Sequence, residues 1–549
     1  MKRKSLIVAL LFSFVFLTAF VRGDSDKYFE IAKSIDIFGR IFKEINRNYV
    51  DEIDVQEFML AGIKGMLSSL DPYTVYLDKN LQKDFEIITK GKYGGIGATV
   101  GIQNGKVTVI DLIEGYSAQR QGIRIGDVIV QVDSFEVSKK NYGELGSYLK
   151  KKPGTQIKVT VERDGFSEPI VFDLVAEEVE IKNVPYYGFI PKDGNNAYIK
   201  LSGFSRSAGE EVKHALLEME KKREVKSIVL DLRGNPGGLL DAAIDVSDKF
   251  LKSGKIIVGV NGRDIRKNVV YKAVEKPVAG SRALAVLIDG GSASASEIVA
   301  GAMQDNDRAV IVGKNSFGKG LVQTVVPLSF NTSLKLTTAK YFTPSGRSIQ
   351  KIDYSKDNKV FLHEASKPVS EYKTLSGRTV FPSGGIMPDT VVVSVSESNI
   401  IKQLLAKGMF FKFATFYFNT HPEMSMENLD DANLFEKFKE YLREHQFDYT
   451  SDSERLLKQL MKTIESDGLA ENIKEDIETV TKKIKEEKCA AVEAHESEII
   501  SEIRKEFAAR IFGRAGRIEE ALKTDKQFET ALNIISDKIL YNKILNIGE

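Results

Sequence analysis

Cysteine occurs once in the 549 residues, at Cys489, so neither an internal disulfide nor a cysteine-cluster metal site can form. Histidine is scarce as well. His214, His363, His421, His445 and His495 share no HExxH or HxH spacing, which argues against a zinc enzyme, and no metal or other cofactor is expected. Neither sign of charge is in excess, with 78 Lys and Arg against 77 Asp and Glu, so no chain-wide basic field points to nucleic acid or an anionic membrane. The apolar run from Leu6 to Val21 falls short of the ~20 residues that span a bilayer. It follows Lys2, Arg3 and Lys4 and gives way to Gly23 and polar sequence, the layout of a secretory signal, with Val21 and Gly23 small enough for a cleavage site. Export is expected, with 1–23 as signal peptide; an uncut signal acting as an anchor is the alternative.

The chain is longer than the ~250–300 residues at which one hydrophobic core stops growing, so several domains are expected. Residues 24–90 read as a helical segment, from Ile35, Phe38, Phe42 and Ile45 to a turn at Asp71-Pro72-Tyr73. The composition changes at Tyr93. Gly94-Gly95-Ile96-Gly97 leads into apolar runs on either side of Asn104-Gly105, a strong hairpin signal. Further strands at Asp127–Val132 and Gln156–Glu162, and a helix near Tyr142–Lys151, make 91–165 a small β-rich domain. From 166 to 396, β-branched runs at Ser227–Leu232, Ala283–Ile288 and Ala309–Val312 alternate with amphipathic stretches such as Leu239–Leu251. That is the α/β pattern, with strands buried on both faces. Residues 397–549 are charged and helical, with helices expected near 398–418, 431–446, 452–466, 470–522 and 526–545.

Chemistry concentrates in the α/β region. Asp289-Gly290-Gly291-Ser292-Ala293-Ser294-Ala295-Ser296-Glu297 lies between a buried strand and an apolar helix. A serine there sits at a helix N-terminus, where free N–H groups and the positive dipole end stabilise an oxyanion. Ser294 with Glu297 also fits a helix-capping box. A triad is poorly supported, because His214 falls in a charged helix and His363 in a polar stretch. Gly313-Lys314-Asn315-Ser316-Phe317-Gly318-Lys319-Gly320 instead offers a lysine after a strand, and desolvation would lower its pKa from about 10.4 and supply a neutral amine. The same segment is a near miss to a phosphate loop. Gly320 stands where Ser or Thr should hold magnesium, and Leu321–Val326 reads as a strand where that loop needs a helix. Asp231-Leu232-Arg233-Gly234-Asn235-Pro236-Gly237-Gly238 is a glycine-rich turn between strand and helix, able to offer a backbone N–H to an oxyanion or simply to make a tight connection.

Together these residues resemble the C-terminal processing peptidases, the tail-specific proteases of bacteria and chloroplasts. The resemblance spans about Ile35 to Val393. It rests also on Tyr-Phe-Thr-Pro-Ser-Gly-Arg-Ser-Ile-Gln (341–350) and Gly-Ile-Met-Pro-Asp (385–389). It implies a multidomain α/β peptidase core with an inserted PDZ-like β-rich domain, a helical N-terminal segment and a long helical C-terminal extension. The family nucleophile is the middle serine, with its base 25 residues later, which selects Ser294 and Lys319. Gln323 matches the glutamine that supports the lysine, and the implied oxyanion donors are the N–H groups of Gly238 and Ala295. Gly95, Ile96, Gly97 and Ala98 match the carboxylate-binding loop of the PDZ domain. The implied partners are protein or peptide substrates with accessible, apolar C-terminal tails, and the implied location is the periplasm or the outer face of the inner membrane. The segment between Gln350 and Gly385 is longer than in the shortest family members, and 397–549 lies outside the common core. That extension is expected to serve homo-oligomerisation, substrate caging or docking of a partner such as a regulatory adaptor. A catalytically silent PDZ scaffold is the alternative from another class, and an intact Ser294, Lys319 and Gln323 argues against it.

Overall fold

The computed structural model describes residues 26–354, 371–382, 384–393, 398–421, 423–468 and 470–548. The expected signal peptide and the boundary at 396 lie outside them. The chain divides into two units. Among the described residues the smaller holds those up to Leu77, Val325–Leu336 and Tyr354. In it α1 (26–48) and α2 (Val55–Ser68) are joined by a turn in which the Asp54 carboxylate caps α2 by accepting the Gln56 and Glu57 N–H groups. The turn expected at Asp71-Pro72-Tyr73 forms because the Asp71 carboxylate accepts the N–H groups of Tyr73 and Thr74. Strand β1 (Val75–Leu77) then pairs antiparallel with Ser333–Lys335.

The larger unit begins with α3 (Lys79–Lys90), which stops at left-handed Gly91. β2 (Lys92–Gly95) leads into a β-rich layer of β3 (Ala98–Gln103), β4 (Lys106–Leu112), α4 (Ser117–Arg120), β5 (Val128–Val132), β6 (Phe135–Glu136), α5 (Tyr142–Leu149), β7 (Gln156–Glu162) and β8 (Ile170–Val175). Its strands run in the order β3-β4-β5-β7-β8, all antiparallel, with β6 on β5. β9 (Glu177–Glu180) returns to pair with β2, so one two-stranded ribbon carries the chain in and out. The limit expected at 165 falls short of this layer. Leu174 is buried on β8 and Ile170 and Phe172 pack inward beside it, which ties β8 to β7 along six residue pairs.

The next layer contains β10 (Tyr186–Phe189), β11 (Asn196–Lys200), α6 (Ala208–Lys222), β12 (Ser227–Asp231), α7 (Leu240–Asp248), β13 (Ile256–Gly262), β14 (Val269–Lys272), β15 (Ala283–Ile288), α8 (Ala295–Asp305) and β16 (Val310–Gly313). After these come β17 (Leu321–Pro327), β18 (Ser333–Phe342), the short hairpin β19 (Tyr372–Lys373) and β20 (Thr379–Val380), and β21 (Thr390–Val391). The main sheet has the order β10-β11-β12-β15-β16-β21, parallel from β11 onward. Alternate side chains go to opposite faces. Ile199, Ile228, Leu230, Val286 and Ile311 join the cluster under α6, α7 and α8, while Tyr198, Val229, Leu287, Val310 and Val312 face the other way.

What covers that second face is the end of the helical extension, α9 (Asn399–Ala406), α10 (Met409–Thr420), α11 (Asp431–Glu444), α12 (Asp452–Ser466), α13 (Ala470–Ala494), α14 (Glu496–Leu522), α15 (Lys526–Ser536) and α16 (Lys538–Leu545). Leu522, Phe528, Ala531, Ile534, Ile535, Tyr541 and Leu545 pack on the sheet, and Tyr541 Oη accepts the Leu284 N–H. The extension, which lies outside the core common to the family, therefore supplies a layer on the main sheet. Two of the expected helices are each two and the one at 470–522 is three, because Gly513, at φ 64° and ψ −156°, breaks α14 as well. Left-handed Gly408 separates α9 from α10, a break at His495 separates α13 from α14, and Asp537 caps α16 with its carboxylate.

Candidate active site

The chain turns abruptly between β15 and α8. Ser294 adopts φ 56° and ψ −111°, a conformation few side-chain-bearing residues accept, so the surrounding bonds must impose it. Its neighbours supply them. Ser292, fully buried, takes the Asp289 N–H on its hydroxyl and donates to the Leu232 carbonyl at 2.9 Å. Ser296, also fully buried, donates to the Asn235 carbonyl at 2.8 Å. Both hydroxyls are thus committed to structure, and Ser294 is the only one of the three that is partly exposed.

Glu297, on the first turn of α8, is fully buried and acts as a hub. Its Oε2 accepts the backbone N–H of Ser294 at 2.8 Å and of Lys319 at 2.9 Å. Its Oε1 accepts the Ser316 hydroxyl at 2.6 Å and the Gly318 N–H at 2.7 Å. Burial pushes the carboxyl up, against the pull of these bonds. Tyr341 closes the arrangement from the other side. Its hydroxyl donates to the Ser294 carbonyl at 3.1 Å and also contacts the Lys319 carbonyl. Ser294 and Lys319 are therefore clamped twice, by their N–H groups on one carboxylate oxygen and by their carbonyls on one phenol.

The glycine turn after β12 packs directly on this elbow. A Cβ on Gly237, which has φ 99°, would stand 2.9 Å from Ser294 Cβ and 2.7 Å from the Ala293 carbonyl oxygen, so only glycine fits. The Gly237 N–H is already given to Asn235 Oδ1 at 2.9 Å, so Gly237 cannot donate to an oxyanion. Ala295 opens α8, where an N–H has no intrahelical acceptor. Arg233 fixes the start of the turn. It forks onto Asp231 at 2.6 Å and reaches Asp525 at 2.6 Å and Gln527 at 3.1 Å. Burial would raise the Asp231 carboxyl, yet Arg233 and Lys200 hold it well below the usual carboxylate range.

The outlying motifs brace the lysine segment. Gln350 Oε1 accepts the Gly320 N–H at 2.7 Å, the Ile386 N–H reaches Ser316 Oγ at 2.6 Å, and Asp389 takes the Ile311 N–H at 2.8 Å. Arg378, in the longer segment before Gly385, pairs with Asp307 and Asp389, so the described part of that segment is tied to the same scaffold. Gln323 lies on β17, as a strand reading of 321–326 requires, and donates to Thr337 Oγ1 at 3.4 Å. Sequence reasoning treats Glu297 only as a helix cap and misses Tyr341, Asn235 and Asp525. The first two stand inside motifs that are quoted for other residues.

In the β-rich layer, Gly95 ends β2, Ile96 and Gly97 form the loop, and Ala98 begins β3. The Ile96 carbonyl accepts the Ala118 N–H at 3.0 Å and the Gly97 carbonyl the Ile113 N–H at 2.8 Å. In a planar trans peptide the next N–H points the opposite way, so the N–H groups of Gly97 and Ala98 turn away from those partners.

Four family profiles match successive parts of the chain. The peptidase family S41 profile matches residues 195–360 and a PDZ domain profile residues 94–170. The C-terminal helical domain of a probable PDZ-protease matches 400–535, and the N-terminal domain of the activating protease CtpB matches 20–81. A carboxy-terminal-processing protease of Bartonella bacilliformis is 39% identical over 328 residues, covering 59% of this chain and 74% of that protein. The carboxy-terminal processing protease CtpA of Bacillus subtilis is 32% identical over 341 residues, covering 61% and 72%. A solved photosystem II D1 C-terminal processing protease is 26% identical, covers 65% of this chain and 92% of its own, and has a TM-score of 0.34.

Proposed function

The chain belongs to the carboxy-terminal processing proteases, serine-type peptidases with a PDZ domain, and from that premise we propose that Ser294 is its nucleophile and Lys319 its general base. The observation that carries the reading is the shared bond acceptor. Glu297 Oε2 takes both backbone N–H groups, so their nitrogens cannot lie farther apart than those two bonds end to end. Ser294 Oγ attacks the scissile carbonyl carbon as its proton passes to the neutral Lys319 amine. The carbonyl π pair moves onto oxygen, where the Ala295 and Gly238 N–H groups receive it. Collapse expels the amine product, which takes the proton from Lys319, and a water deprotonated by Lys319 then releases the acyl group and restores Ser294. Gln323 supports the lysine in this scheme, since its 3.4 Å bond to Thr337 is long enough to yield.

The substrate is a protein with an accessible apolar tail. Its carboxylate meets the loop Gly95-Ile96-Gly97-Ala98, and its chain adds as a strand to β3. The charged and apolar N-terminus supports export to the periplasm or the outer face of the inner membrane. The test is cleavage of an unstructured protein with a free apolar C-terminus by the full chain and by Ser294→Ala and Lys319→Ala. The scheme requires cutting by the parent and none by either folded variant. A parent that binds the tail without cutting it favours the silent scaffold.

A further inference from the structure

β3 is the edge of its sheet, with no strand on its outer side among the described residues. The turn Asn104-Gly105 has positive φ at both residues, 52° and 79°, as a two-residue hairpin demands, which makes Gln103 and Lys106 a hydrogen-bonded pair. Bonding alternates along an antiparallel ladder, so Val100 and Ile102 direct their N–H and C=O groups away from β4, into the open edge. One of these groups is not open. The Tyr142 hydroxyl, from the first residue of α5, donates to the Val100 carbonyl at 2.9 Å. The ring is held there, since Tyr142 packs against the core of this layer together with Val100. The start of α5 is fixed too, by Asn141, which donates to the Glu136 carbonyl and accepts the Ser138 N–H, each at 2.8 Å.

We propose that Tyr142 is a determinant of tail selection, its hydroxyl competing with the incoming tail for the Val100 carbonyl. The proposal rests on the reading that tails add to β3. A strand added to an edge gains its affinity from main-chain bonds, and here one of them must be exchanged for a bond the protein already makes. Only tails whose carboxylate and side chains bind well enough to drive the exchange are then retained. Weakly matched chain ends are refused although the edge is exposed.

The test measures binding of a fluorescent peptide with an apolar, free C-terminus to the full chain carrying Ser294→Ala, with and without Tyr142→Phe. Removing the hydroxyl is expected to tighten binding about 2- to 10-fold, the worth of one ordinary hydrogen bond, and to lower KM for cleavage in the Ser294 parent. A gain in affinity is something that mere loss of packing does not produce. Equal or weaker binding by the Phe variant overturns the competition and leaves the β3 reading intact. Binding that survives Val100→Pro unchanged puts the tail elsewhere and overturns both.

Discussion

Replacing Glu297 by glutamine changes one atom and tests the clamp directly. The carboxylate accepts four donors, two on each oxygen, whereas the amide keeps one accepting oxygen and brings two N–H donors of its own. The cheapest placement turns the amide nitrogen toward Ser316, whose hydroxyl can rotate to accept, and leaves the Gly318 N–H buried without a partner. That donor costs about 1–3 kcal/mol, and the bonds to Ser294 and Lys319 each weaken by about 1 kcal/mol on becoming neutral. Relief from burying a charge offsets part, so a net loss of about 2–4 kcal/mol is expected, with Glu297→Ala costing more because all four donors lose their acceptor. The site loosens at the same time, and a misplacement of about 1 Å costs on the order of 100-fold in rate. The pH dependence has a definite sign. Burial holds the carboxyl above the ordinary 4.5, so folding takes up a proton between 4.5 and the raised value, and this group's contribution to stability falls as pH rises through that window. Activity runs the opposite way, since the ionised form holds the clamp, and kcat is expected to decline as pH falls through the same raised value. Urea unfolding followed by far-ultraviolet circular dichroism and the tail-cleavage assay across pH are the measurements. A Glu297→Ala chain with the parent's kcat and urea midpoint would refute the reasoning.

Three further outcomes follow from the same geometry. Tyr341→Phe removes the phenol that bridges the Ser294 and Lys319 carbonyls, and about 10-fold lower kcat is expected with KM little changed, read from initial cleavage rates. Gly237→Ala forces a Cβ to within 2.9 Å of Ser294 Cβ at a left-handed φ, so the purified variant is expected to be folded by circular dichroism and inactive in the same assay. Phe528→Ala opens a cavity against Tyr198, whose ring centroid lies 5.4 Å away edge-on, and is expected to cost about 3–5 kcal/mol in urea, far more than an extension outside the core would allow.

Where a local pattern suffices, the sequence is legible. β15, β7 and α12 fall on the expected residues, because a fully apolar run, an alternating run and a Ser-x-x-Glu cap each carry their own signature. The choice among Ser292, Ser294 and Ser296 is not local. Three serines alternating with alanine look alike until Leu232 and Asn235, some 60 positions away, claim two of the hydroxyls. Glu297 reads as a cap and is one, yet three of its four donors come from elsewhere than the N-cap, and no periodicity reveals them. The same limit hid the role of the helical extension. The apolar residues of α15 show a helix with one buried face, but nothing in them says that the face meets Val229 and Leu287 rather than another helix.

The late covering of the main sheet also sets a clock. Val229, Leu287 and Val312 are synthesised roughly 210 residues or more before Phe528, and at ~5–20 residues per second the interval is about 10–40 s or longer. Throughout it the elbow and its lysine already exist as sequence, while one face of the sheet is bare and Arg233 lacks the carboxylate of Asp525. A nascent chain in that state holds the parts of a peptidase without the layer that keeps them in register. Until the closing helices are made, Arg233, which forks onto Asp231 at the start of the glycine turn, has neither Asp525 nor Gln527 to hold it.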